Sequence, residues 1–269
     1  METIEQKPNV VLVLGSAPDA LEVRAWDRSA IASIVAINNA WAIRDDWDYL
    51  IYPDDFPSDR LPAMQSTSAS RVTSDEFVPA QNEFGGFVYA GGTMAFTSAY
   101  WALHALKPDV LVFLGCDMIY SGVGGTHFYG NGTADPLRQD VTLRSLEAKS
   151  SRLFVTALRA GTLCLNLSSR PQSRLTLPRT TLATLSRLTT RRVSALKQIF
   201  SGLVVREAEA AAKSLEAKLG YFVEDGRYWR KITEFSESCI DRIDALWTDA
   251  IVRIPRSCSS RDVCQCRNV

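Results

Sequence analysis

At 269 residues, 46% of them hydrophobic, the chain can hold one α/β domain of ordinary size plus an appendage, with a real core. Lys+Arg and Asp+Glu both number 30, so no global basic field exists to recruit nucleic acid or an acidic membrane. No run approaches the roughly 18 apolar residues of a membrane span, and Met1 to Lys7 has no apolar core for a signal peptide. The expectation is a cytoplasmic protein without a membrane span.

The first element is a short apolar strand over residues 9–14, running into Gly15-Ser16-Ala17-Pro18-Asp19. Gly15 permits a tight turn, small Ser16 and Ala17 let a ligand approach the backbone, and Pro18 suits a first helical turn. Such a turn presents free N–H groups and the positive end of a helix dipole to phosphate. No Gly-Lys-Ser/Thr follows, so it is not a P-loop. Ala20–Arg28 has helical spacing, with Asp19 as N-cap.

Ile34–Ile37 reads as a second buried strand ending in Asn38-Asn39, whose amides can read a base or ribose or simply make a turn. A short helix over 40–45 and a third strand over 49–52 follow, stopped by Pro53-Asp54-Asp55. Between 57 and 90 the expectation is a polar helix near 58–65 and short strands at 71–73 and 87–89. Gly91-Gly92-Thr93 then opens a helix reaching Leu106, apolar nearly all round and so expected to be central, with His104 a hydrogen-bonded core residue. Gly92 and Thr93 are candidate phosphate or ribose contacts.

The strand at 110–114 delivers Gly115-Cys116-Asp117, and the carboxyl end of a buried parallel strand is where open α/β sheets place function. Asp117 there is a candidate ligand contact or a structural cap. The Gly-rich loop 118–138, long for a compact domain, carries Tyr120, His127 and Tyr129. Histidine titrates near neutrality and suits general acid or base work; a surface loop histidine is the plainer alternative. The tyrosine hydroxyls can support a departing phosphate, or the rings can merely pack.

A helix over 140–160 and a strand over 163–167 complete the order β-α-β-β…α-β-α-β. That order argues for a Rossmann-like, mostly parallel sheet with helices on both faces. We read residues 1–173 as this nucleotide-binding domain and 174–269 as a helical C-terminal extension, packing on the sheet or on a second subunit. In the extension, 178–219 has helical spacing with Leu185, Leu188, Leu196, Ile199 and Leu203 as an apolar stripe. Gly220 is expected to end that helix, Tyr221–Trp229 to form a hairpin, and Ile232–Ile251 to be helical again. The Arg-rich stretch 170–206 contains no acid and reads as a solvated face, a polyanion contact or an interface. The six cysteines form no disulfide framework. Cys258, Cys264 and Cys266 fall in a tail expected to be disordered, without zinc-knuckle spacing.

Together these pieces resemble the bacterial sialyltransferases of glycosyltransferase family 42 and, more loosely, Rossmann-like proteins that include archaeal pterin pyrophosphokinases. The family's opening G-N-G-P-S turn corresponds to Gly15-Ser16-Ala17-Pro18-Asp19, and its Asn-terminated second strand to Asn38 or Asn39. Its Y-N-P corresponds to Tyr52-Pro53-Asp54, without the middle Asn. Its S-G-I-D-F-Y is similar to Leu114-Gly115-Cys116-Asp117-Met118-Ile119-Tyr120, and its aromatic-histidine loop to His127-Phe128-Tyr129-Gly130 ahead of Leu146-Glu147. The likeness covers roughly residues 9–170.

The resemblance implies an inverting transfer of a sugar from a CMP-sugar donor to the hydroxyl of a glycan acceptor, with no metal or other cofactor required. It implies His127 as base and Tyr120 and Tyr129 as phosphate contacts. The implied nucleotide contacts are Gly15, Ser16, Ala17, Asn38, Asn39, Gly92, Thr93 and Asp117. The family loop has two histidines separated by three residues, the second catalytic; this chain has Asn131 there. Either His127 acts from a shifted position or the chain binds a nucleotide without transferring a sugar. Two alternatives remain: a pyrophosphokinase-like enzyme with Mg2+ held by Asp117 and Asp54 or Asp55, and a non-catalytic scaffold working through the helical region 178–250.

Overall fold

The computed structural model describes residues 6–63, 69–120, 125–130 and 140–251. The sheet has six strands: β1 (Val10–Leu14), β2 (Ser33–Ile37), β3 (Tyr49–Ile51), β4 (Ser70–Val72), β5 (Val110–Leu114) and β6 (Leu163–Asn166). Strands β1 and β5 are apolar runs buried throughout, whereas the edge strand β4 has Ser70 exposed and Arg71 half-buried. The six are ordered β4-β3-β2-β1-β5-β6, every pairing parallel. Inner strands with no polar face are what a parallel sheet covered on both sides demands, and this is the expected Rossmann-like α/β fold.

The chain leaves β1 towards β2, then returns to β1's other side at β5, paired from Val10–Val110 to Leu14–Leu114. The order therefore reverses between β1 and β5, and a crevice opens at the carboxyl ends of such a pair. Right-handed crossovers place the β1-to-β3 connections on one face and the helices flanking β5 on the other.

The connections after β1 and β2 are 3-10 helices, Pro18–Ala25 and Asn38–Ile43, not the α-helices expected. Asp19 is no N-cap: Ala17 holds that place without a side-chain bond, and Asp19 sits in the first turn. The other face carries α1 (Ser74–Asn82), α2 (Phe87–Ala90), α3 (Met94–Ala105) and α4 (Leu146–Arg159). Helix α1 was not anticipated, although Thr73 and Glu76 start it with a reciprocal capping box. Phe87-Val88-Tyr89 is one helical turn rather than a strand. Among the described residues of the polar helix expected near 58–65, whose end lies outside them, there is a three-residue 3-10 turn, Ser58–Arg60. Helix α3 is buried from Ala95 to Leu103; His104, in its last turn, is exposed and not a core residue.

The region 178–219 is three helices, α5 (Leu182–Leu185), α6 (Thr190–Leu203) and α7 (Arg206–Leu219). Thr181 and Thr189 each cap a new start. Gly220 ends α7 in the left-handed conformation, φ 60°. No hairpin follows: a turn leads to a 3-10 stretch, Tyr228–Glu234, and then α8 (Glu237–Asp249), capped by Ser236.

Buried ion pairs tie these helices to the sheet layer. Arg152 Nε and Nη2 donate to Glu216 at 2.8 and 2.9 Å, Nη1 donates to Tyr100 Oη at 3.1 Å, and Trp247 Nε1 donates to Glu216 at 2.7 Å. Burial pushes Glu216 up, but Arg152 and Trp247 outweigh it and hold the carboxyl below its ordinary value. Lys149 donates to Asp244 at 2.8 Å. Among the described residues, no helix is long and apolar enough to cross a membrane.

Candidate functional site

The turns after β1 and β5 are locked against each other. Gly15 N donates to Leu114 O at 2.8 Å and Ala17 N to Gly115 O at 3.0 Å. A Cβ on Gly15 would lie 2.3 Å from Gly115 O, and Gly115 itself has φ +72°. Glycine is required at both places, by close backbone approach at one and left-handed φ at the other. This corrects the expected cradle: the N–H groups of Gly15 and Ala17 already have carbonyl partners and are not offered to an anion.

The loop carrying His127 is fastened to the same turn, because Phe128 N donates to Ser16 O at 2.9 Å. His127 pairs across a small turn with Gly130, stacks on Tyr129 with ring centroids 5.0 Å apart, and has Tyr120 6.4 Å away. Its Nδ1 hydrogen-bonds Thr126 Oγ1 at 2.8 Å; where the ring is the donor, Nε2 carries the lone pair. Burial pushes the imidazole below its ordinary value, so it is neutral at pH 7 and able to accept a proton. Burial also pushes Tyr120 up to about 12, with Cys116 adding to the rise; the phenol keeps its proton and is a hydrogen-bond donor. Tyr129 is 43% exposed. Asn131 lies outside the described residues.

Asp117, at the end of β5, is 1% exposed. Its Oδ2 lies 2.9 Å from Ser168 Oγ, and Asp19 Oδ2 lies 3.0 Å from the same oxygen. Burial raises the Asp117 carboxyl above its ordinary range; Ser173 and Ser168 pull it down, Asp19 pushes it up, and Arg170 pulls it down. Ser168 also accepts from Arg170 N at 3.1 Å, and Arg174 N donates to Asp117 O at 3.0 Å. Arg174 is itself paired with Glu147. The segment after β6 therefore closes over the carboxyl edge. Met118 has φ 54°, unusual for a bulky side chain; Thr93 Oγ1, which caps α3, reaches its sulfur at 3.7 Å.

The remaining predicted residues spread outwards. Asn38 sits at the end of β2 with φ 51° and a buried Oδ1 that has no partner among the described residues; Asn39 is half-buried beside it. Gly92 is covered, since a Cβ there would meet Tyr228 Oη at 2.5 Å and Thr142 Oγ1 at 2.6 Å. Asp54 and Asp55 are exposed after β3, three strand spacings of about 4.8 Å from β5, so they do not join Asp117 around a metal.

No protein-family model, no curated protein and no solved structure matches the chain. What it does is therefore to be read from its own residues. Ser168, Arg170, Ser173 and Arg174, all at the site, were not singled out by sequence reasoning. The one available signal was that Leu167-Ser168 directly follows a buried parallel strand, β6, the same positional cue that marked Asp117.

Proposed function

We propose that this chain is an inverting glycosyltransferase-like enzyme that binds a nucleotide sugar, a CMP-sugar, across the carboxyl edge of its sheet. The observation that carries this is the position of a neutral His127, stacked on Tyr129 beside a protonated Tyr120, on a loop pinned to Ser16 at the β1/β5 reversal. In the tautomer whose Nδ1–H donates to Thr126 Oγ1, Nε2 carries the lone pair and takes the proton from an acceptor hydroxyl as the sugar–phosphate bond breaks. The Tyr120 and Tyr129 hydroxyls donate to the departing phosphate, a task the Gly15 and Ala17 amides cannot share. The choice of cytidine and of a sugar donor rests on the order of motifs in the sequence.

The decisive experiment pairs donor turnover with nucleotide binding. His127→Ala should lower CMP-sugar hydrolysis or transfer by about 10²–10⁴-fold, the ordinary contribution of a positioned base, while CMP affinity stays within about threefold of wild type. Unchanged turnover removes His127 from the mechanism.

A further inference from the structure

Among the described residues four large apolar side chains stand exposed, and three of them, Phe222, Trp229 and Ile232, fall in one stretch between α7 and α8. Trp229 is 56% exposed, Phe222 47% and Ile232 38%. The exposure does not come from a loose loop. Within the stretch, buried Tyr228 donates to Asp140 Oδ2 at 2.7 Å and stacks on Phe87 with ring centroids 6.0 Å apart. Asn82 Nδ2 donates to Glu224 O at 2.7 Å, and Ser236 N donates to Tyr221 Oη at 3.0 Å. A Cβ on Gly226 would meet Val78 at 3.0 Å and Phe87 at 3.1 Å, and one on Gly86 would meet the Phe222 ring at 3.2 Å. The stretch is clamped over the α1–α2 junction, and Trp229 stands edge-on to the fixed Tyr228 ring, centroids 5.5 Å apart. Apolar groups held out in this way, together and not singly, mark an interaction surface.

The charge among these tips has one sign. Arg227, Arg230 and Lys231 are exposed, and no acid occurs from Arg227 to Thr233. None of the three cations joins an ion pair among the described residues. Glu224, Asp225 and Glu234 flank the run, and Asp225 is turned onto the backbone, accepting from Arg227 N at 3.0 Å. The chain as a whole is neutral, so the cations are a local arrangement. An indole with Arg and Lys beside it matches the interfacial layer of a membrane. Trp settles at headgroup level, the long basic side chains keep their charges in headgroup water, and anionic lipid attracts them. A protein partner fits less well, because protein interfaces deplete charge, and Lys in particular, around their apolar centre. Binding of this kind lies on the surface and needs no spanning helix.

We propose that the stretch 222–232 is a peripheral docking surface for an anionic membrane. Trp229 and Ile232 enter the headgroup layer, and Arg227, Arg230 and Lys231 meet its anionic groups. Docking there sets the carboxyl edge of the sheet beside the lipid. Tyr228 Oη would lie 2.5 Å from a Cβ on Gly92, at the start of α3, and Thr93, which caps α3, reaches the Met118 sulfur just beyond β5 at 3.7 Å. The inference rests on the exposed stretch alone and stands whether or not the chain transfers a sugar.

The test is co-sedimentation of the full chain with vesicles of phosphatidylcholine, alone or with about 30% phosphatidylserine, with melting temperature as the check on folding. Wild type should bind the anionic vesicles about tenfold or more tighter than the neutral ones. Most of that binding should be lost as salt rises from about 0.1 to 1 M. Arg230→Gln and Lys231→Gln should each weaken binding about fivefold, the share of one cation at an anionic surface. Trp229→Ala should weaken it about tenfold or more. These side chains are exposed, so the fold should survive; should Trp229→Ala melt early, Ile232→Gln carries the apolar comparison. Arg187→Gln and Arg191→Gln, exposed cations where α5 gives way to α6, should bind as wild type does. So should His127→Ala, which separates this surface from the transfer mechanism. No binding by wild type, equal binding to both kinds of vesicle, or binding undiminished in the Trp229 and Lys231 variants overturns the proposal. A concentration-dependent dimer abolished by Trp229→Ala overturns it too, because the stretch would then join two copies of the chain.

Discussion

His127 owes its chemistry to burial, with no carboxylate partner among the described residues: desolvation is the cause of its shift, and it disfavours the imidazolium. The sign of the pH dependence follows. The base is active when neutral, so the acid limb of kcat/KM should fall below the ordinary histidine value of about 6.5. A pH–rate profile checks this, and a limb centred above that value would contradict it. The same shift makes the folded state bind fewer protons than the unfolded chain below that pH, so the small stability His127 contributes is lost on acidification. At this scale the sequence was partly legible. The placement of Tyr120 and Asp117 after β5, at the carboxyl edge, was legible from their following a buried apolar strand, and the His127 loop reaches the same edge through Phe128 N to Ser16 O. Ser168 and Arg170 were not legible, because their role comes from a chain segment folding back over an edge that no local pattern announces. His104 shows the opposite error, an exposed residue mistaken for core because its helix is otherwise apolar.

Among elements, β1, β2 and β5 were readable as buried apolar runs, a pattern that parallel sheets impose directly on sequence; the edge strand β4, with Ser70 exposed and Arg71 half-buried, carries no such pattern. The crossovers were not readable either. Pro18 and the short span from β1 to β2 produce a 3-10 helix where helical spacing alone suggested an α-helix. Helix α1 hid behind its internal Pro79 and polar residues, and the extension's single long period concealed breaks at Ser186–Thr189 and Val204–Val205. The most constrained junction joins two elements far apart in sequence, the turns after β1 and β5. A Gly15→Ala methyl would overlap the Gly115 carbonyl and its carbon, at 2.3 and 2.7 Å, and backbone cannot step aside as a flexible side chain can. We expect a loss of about 1–3 kcal/mol, the usual range for overpacking, measured by denaturant unfolding, and a larger loss of nucleotide affinity. Wild-type stability in this variant would show that the two turns are not in contact.

Among the described residues, a hydrophobic core cluster runs from β1 to Ile251 and includes residues on both sides of 173. Arg152–Glu216 and Lys149–Asp244 are paired across the layers, and the separation of the partners along the chain put them beyond sequence reading. Their burial favours rigidity of the scaffold around the carboxyl edge, although pairs of this kind contribute little net stability. A rigid edge is what allows a nucleotide to act as a probe of the entire fold: a ligand that binds only the native state stabilises it by about 2.7 kcal/mol at a hundredfold excess over Kd. For a chain of this size that corresponds to a rise in Tm of about 5–10 °C. The most direct measurement is thus the melting temperature of the full chain with CMP, UDP, GDP or ATP, each with and without Mg2+. A rise of that size with CMP, and little with the other three, is the expected result; no shift with CMP, or a larger one with ATP and Mg2+, contradicts the reading of this edge as a CMP-sugar site.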